Sequence, residues 1–166
     1  SSQGEATLQI SVTDLALSIT GYTEYGVTDN PSSGRARVIT VTNISTSNAY
    51  DVSASATGLP TGTNITTVPS TCSGTLVPNA SCTVTVSPGA TASSNCNTNA
   101  TSPTSGTVSI SSSNATTVST NVTILGYGCI YQGGYVFALD DTTSTSASVA
   151  GKLAALVNEP SSLTWG

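Results

Sequence analysis

The side chains able to do chemistry are few: four cysteines, six tyrosines, eight acidic residues, three basic ones and no histidine in 166 residues. Histidine is the usual general base, metal ligand and proton shuttle near neutral pH, so its absence removes the commonest catalytic arrangements. Carboxylate-only hydrolysis, as in glycosidases, is chemically open to eight acids. The adjacent Asp140-Asp141 is the sole acidic pair that stands out, and the chain is expected to be non-catalytic and to carry no cofactor.

The cysteines, Cys72, Cys82, Cys96 and Cys129, show neither the paired spacing of a zinc site nor a histidine to complete one. Two disulfides are the better reading, and four cysteines allow three connectivities. Cys72 and Cys82 flank a turn-rich stretch that would bring their strands together as a hairpin, so Cys72 is paired with Cys82 and Cys96, by elimination, with Cys129. Disulfides persist in oxidising compartments, which points to a secreted, periplasmic or surface location. Ser1-Ser2-Gln3-Gly4 lacks an apolar run, so the chain reads as already processed.

Tyr127, Tyr131 and Tyr135 cluster around Cys129 and form the candidate ligand site, because aromatic faces stack on sugar rings while phenols hydrogen-bond. The plainer reading is that they fill a junction. Asp140-Asp141 with nearby hydroxyls resembles a fragment of a calcium site, but without spaced ligands a solvated turn is favoured. Lys152, the single lysine, could serve an isopeptide cross-link; a solvent-facing residue is the better assignment. Six Asn-x-Ser/Thr sequons, at Asn43, Asn64, Asn79, Asn99, Asn114 and Asn121, arise easily by chance in a chain this rich in Ser, Thr and Asn.

The elements that must position these residues are strands. Through most of the first 126 positions apolar residues alternate with hydroxyl residues, the period of a half-buried strand. Leu8, Ile10 and Val12 share a face, as do Leu15, Leu17 and Ile19. Arg35 to Asn43 reads as a strong strand, and further strands pass through Tyr50 to Ala56, Ile65 to Val68, Cys82 to Val86, Val108 and Ile110, and Val118 to Ile124. About eight short strands punctuated by Pro, Gly and Asn predict an all-β, immunoglobulin-like antiparallel sandwich over residues 1–128. The first strand, carrying Leu8, Ile10 and Val12, is terminal and nearly uncharged, so exchange into a neighbour's sheet is an alternative to pairing at home. Residues 129–166 read as a short appendage: an apolar strand at Gly133–Leu139, then a helix on Val149, Leu153, Leu156 and Val157 closed by Pro160. Ending on Trp165-Gly166, this part is expected to open a second module that is cut short.

Two resemblances follow from particular residues. Val38-Ile39-Thr40-Val41-Thr42-Asn43, then Cys72 through Leu76 and Pro78-Asn79-Ala80-Ser81-Cys82-Thr83-Val84, resembles the immunoglobulin-like repeat domains of bacterial surface proteins, with Asn79 where that family usually has Gly. Ile130 through Thr143, then Gly151-Lys152-Leu153-Ala154-Ala155-Leu156 and Trp165-Gly166, is similar to the start of the carboxy-terminal domain of the Legionella collagen-like adhesin. That family implies attachment to glycosaminoglycan-like polysaccharides and cell aggregation.

The expectation is therefore an extracellular or cell-surface, bacterial, non-catalytic structural or adhesive subunit, with a polysaccharide or host-surface glycan as partner. Its alternative is a fibre subunit polymerising by strand exchange. A net charge of −5 without a basic cluster argues against nucleic acid, and no apolar stretch reaches membrane-spanning length.

Overall fold

The computed structural model describes residues 4–20, 32–67, 72–96 and 100–156. Those residues form thirteen strands and no helix, arranged in three sheets.

The first sheet has the order β1 (Leu8–Ile10), β4 (Arg37–Asn43), β8 (Ser81–Ser87), β6 (Asn64–Thr66), antiparallel throughout. The second runs β3 (Ser32–Ser33), β2 (Asp14–Thr20), β10 (Ala115–Leu125), β9 (Gly106–Ser112), β5 (Ala49–Thr57), β7 (Gly74–Leu76). Only β2 and β10 pair in parallel there. The chain changes sheets between β1 and β2. Ser11 N–H still bonds to Thr40 of the first sheet, and Asn121 N–H of the second bonds to Thr13.

Strict alternation makes the core. Arg37, Ile39, Val41 and Asn43 are the buried positions of β4, and Cys82, Val84 and Val86 those of β8. Leu15, Leu17, Val108, Ile110, Val122 and Ile124 join them in one cluster. Each such aliphatic side chain contributes about 1.5–3 kcal/mol by leaving water. Asn43 is the polar member of this set. Its side-chain N–H groups donate to the carbonyls of Ser47 and Leu76, at 2.8 and 2.9 Å, while its oxygen accepts from Ser45, so burial leaves none of its groups unpaired.

The third sheet is β11 (Ile130–Tyr131), β12 (Gly134–Asp140) and β13 (Ala150–Ala155), antiparallel in that order. Gln132 and Gly133, with φ of 47° and 82°, make the two-residue turn between β11 and β12, as a tight hairpin requires of both central residues.

The sequence expectation differs from this fold in three places. Among the described residues ten strands, not eight, precede Gly126; those missed, β3 and β7, are two- and three-residue edges too short to show a period. The helix expected over Val149 to Val157 is corrected to the strand β13, while Val157 and Pro160 lie outside the described residues. Its apolar spacing of three and four was misleading because β12, the most apolar strand of this part, needs a partner for its main-chain groups. Pairing Val136 with Leu153 and Tyr135 with Ala154 supplies one. Gly151, a poor helix former, passes against the Ala138 carbonyl where a Cβ would collide.

Candidate functional site

Arg37 is in phase with Ile39 and Val41, so β4 drives a guanidinium into the end of the core, where its side chain has 0% exposure. The loop between β12 and β13 receives it. Nη1 shares its protons among the Thr143, Ser144 and Ala147 carbonyls and the Thr143 hydroxyl, at 2.7–3.2 Å. Nη2 donates to the Asp141 carboxylate at 2.5 Å. Asp141 also accepts from the Arg35 backbone N–H, and Val38 N–H donates to Thr145. On the other sheet Val149 N–H donates to Ala16, whose own N–H donates to the Ser148 hydroxyl. Residues 141–149 are thus a strap bonded to β4 in one sheet and β2 in the other.

Asp140, next to it, accepts from the Thr142 hydroxyl and N–H. These bonds hold its carboxyl below the usual carboxylate range. Both acids of the pair are therefore committed to shaping the strap, and no metal-holding cluster occurs among the described residues.

Where the strap leaves β2, a groove of about 320 Å³ opens between the sandwich and the third sheet. Ala16, Leu125, Val136 and Leu153 give it an apolar lining, with Asp14, Tyr131, Gln132, Ser148 and Lys152 as polar members. Asp14 also accepts from the Asn121 side-chain amide at 2.9 Å. Burial pushes the Tyr131 phenol up from its ordinary pKa, and the Asp14 charge adds to the rise, outweighing a hydrogen bond with Gln132. The groove therefore holds the Tyr131 phenol in its neutral form at physiological pH.

One of the two disulfides lies at this junction. Cys72 bonds to Cys82 and Cys96 to Cys129, with Cα separations of 5.1 and 4.0 Å. Cys129 is fully buried, its sulfur accepts from Gly126 N–H at 3.1 Å and its carbonyl accepts from Val136 N–H of β12, while Gly128 N–H donates to the Val136 carbonyl. The second bond thus ties the connection between β8 and β9 to Cys129, whose segment bonds through its main chain to β12 at the wall of the groove.

Of the three tyrosines picked out from the sequence, Tyr131 alone lines the groove. Tyr131 pairs with Gly134 and Tyr135 with Ile130, so Tyr131 and Tyr135 point to opposite faces of the third sheet. Tyr135 is 36% exposed beside Phe137 at 55%, and Tyr127 is half-buried. Leu8, Ile10 and Val12 lie at home, where Leu8 and Ile10 pair with Asn43 and Val41 of the chain's own β4. Lys152 is exposed, as read from the sequence. Of the sequon asparagines, Asn43 is buried and the Asn114 amide donates to the carbonyls of Gly4 and Asn48, whereas Asn64, Asn79 and Asn121 are exposed. Asn99 lies outside the described residues. Asp14, Gln132 and Ser148 were missed, since nothing local marks them; Arg37 was missed too, although a charge in register with Ile39 and Val41 is a signal that could have found it.

No family profile and no curated protein matches the sequence. Among solved structures the chain is similar to the secreted serine protease VesC from Vibrio cholerae, at 19% identity and a TM-score of 0.45. The match covers 81% of this chain and 23% of that one. The neighbour found is a secreted protease, not an adhesin or a fibre protein, so the expectation of a non-catalytic structural or adhesive subunit, with its fibre alternative, is corrected and withdrawn. No activity transfers across so distant a likeness. A serine-protease triad needs an imidazole base, and these 166 residues hold none. Two disulfides are consistent with an extracellular protein, and no helix among the described residues is long and apolar enough to cross a membrane.

Proposed function

We propose that this chain is an extracellular ligand-binding module: an immunoglobulin-like sandwich that carries its site in the groove against the C-terminal sheet. The order β1-β4-β8-β6 facing β10-β9-β5 supports the immunoglobulin-like assignment, since it follows the ABED and GFC strand orders of that architecture. The likeness of residues 36–126 to repeat domains of bacterial surface proteins supports it too. One observation carries the functional reading: an apolar concavity with a few convergent polar groups, one of them the perturbed Tyr131, is assembled from the sandwich and the third sheet together.

A two-armed screen tests it. The immobilised full chain is exposed to a glycan array, with sulfated polysaccharides included because of the adhesin-like segment, and to a random-peptide phage library. One class of ligand should be retained, and Leu153→Asp should weaken it about tenfold or more while Ser53→Ala, on the distant β5, leaves it unchanged. Retention of nothing in either arm, or equal binding by both variants, contradicts the proposal.

A further inference from the structure

We infer that the occupant of this groove is an extended polypeptide segment that adds as a fourth strand to the outer edge of β13; the inference rests on the groove being the binding site. Four successive residues, Ala150, Gly151, Lys152 and Leu153, border the groove. Side chains alternate between the two faces of a strand. Four in a row therefore border the space through main-chain atoms as well as side chains, and the outer edge of a terminal strand presents N–H and C=O groups.

Among the described residues that edge has no strand partner. β13 is the terminal strand of its sheet, all six of its residues are exposed, and among the described residues its backbone bonds only to β12. An uncovered edge is a template for another extended chain. A saccharide would make use of Tyr131 and Asp14, but an unpaired row of amides and carbonyls matches the repeat of a peptide.

Charge sets the chemistry of the partner. The chain has three cations, and the strap engages the side chains of Arg35 and Arg37. Lys152 is left, in the middle of the free edge, within a protein of net charge −5. One lysine discourages a purely apolar strand from docking, and a carboxylate opposite it turns that guard into an attraction. The partner is accordingly an extended segment with an acidic residue beside Lys152 and an apolar residue against Leu153.

The test uses the full chain and the best peptide from the phage library, made synthetically. N-methylation of peptide amides that face β13 should lower affinity about tenfold each, while methylation of the alternate amides has little effect. Replacing the acid by its amide should weaken binding about threefold. Hydrogen exchange should show fast amides in Ala150–Ala155 of the free chain and protection once peptide is bound. No peptide enrichment with glycan binding that depends on Leu153 overturns the inference and leaves the binding module standing; failure of both arms removes both. Peptide binding indifferent to N-methylation also overturns it. So does protection of Ala150–Ala155 in the free monomer, which would assign the edge to the chain itself, or a concentration-dependent dimer abolished by Leu153→Asp, which would assign it to a second copy.

Discussion

Arg37 shows how much one side chain holds. Its guanidinium sits without exposure among loop carbonyls and one carboxylate, so removing it leaves several acceptors dry, and removing Asp141 leaves a buried cation with neutral partners only. Arg37→Ala is expected to lower the unfolding free energy by about 3–5 kcal/mol and Asp141→Asn by about 1–3 kcal/mol, read from urea unfolding followed by circular dichroism. Arg37→Met keeps the apolar stem and abandons the carbonyls; a Met variant as stable as the parent would show that the charged anchor contributes nothing net. Two other residues give stability a pH dependence. The Tyr131 phenol is held protonated more firmly in the folded chain, so its contribution is intact below pH ~10 and lost as pH rises through its higher folded value. Tyr131→Phe should therefore flatten the alkaline fall in Tm. Asp140 acts in the opposite sense: its carboxyl titrates lower when folded, so its stabilisation is present above the ordinary carboxylate value and disappears as pH falls through the depressed one. Thr142→Val should shift that acid limb toward the behaviour of an unperturbed carboxylate, visible in the same Tm series.

Among the elements, the disulfides separate two jobs. Cys72–Cys82 closes a separation of 10 residues and Cys96–Cys129 one of 33. Loop entropy assigns them about 3 and about 4 kcal/mol. Replacing each pair by serine should cost stability in that order, but only loss of Cys96–Cys129 should also weaken ligand binding, because only that bond anchors Cys129, whose carbonyl accepts from Val136 at the wall of the groove. Equal loss of binding from both would place the clamp elsewhere. The elements also show where periodicity informs. Strands with one buried face, such as β4 and β8, announce themselves because alternation and burial coincide. β13 has no buried residue, so its composition carried no strand signal, and an accidental helical spacing filled the gap. Its state is set by β12, a fact of pairing that no window within residues 149–157 contains.

At the scale of the molecule, the all-β class, the disulfide framework and most strands were legible because they follow from local alternation, turn residues and cysteine count. The site was not. Asp14 and Ser148 stand 134 positions apart and meet only because the strap folds back across β2. Tyr131 was visible as part of a tyrosine cluster, yet the pleat that sends it into the groove sends Tyr135 away. A groove between distant segments belongs to the tertiary arrangement. It follows that the groove should respond as one unit when a ligand enters. The most direct check is a backbone chemical-shift titration of the full chain with the ligand its screen retains. The account predicts perturbations confined to Asp14–Ala16, Tyr131–Val136 and Ser148–Leu153; shifts centred on the exposed Tyr135–Phe137 face or on the first sheet, with those segments silent, would contradict it.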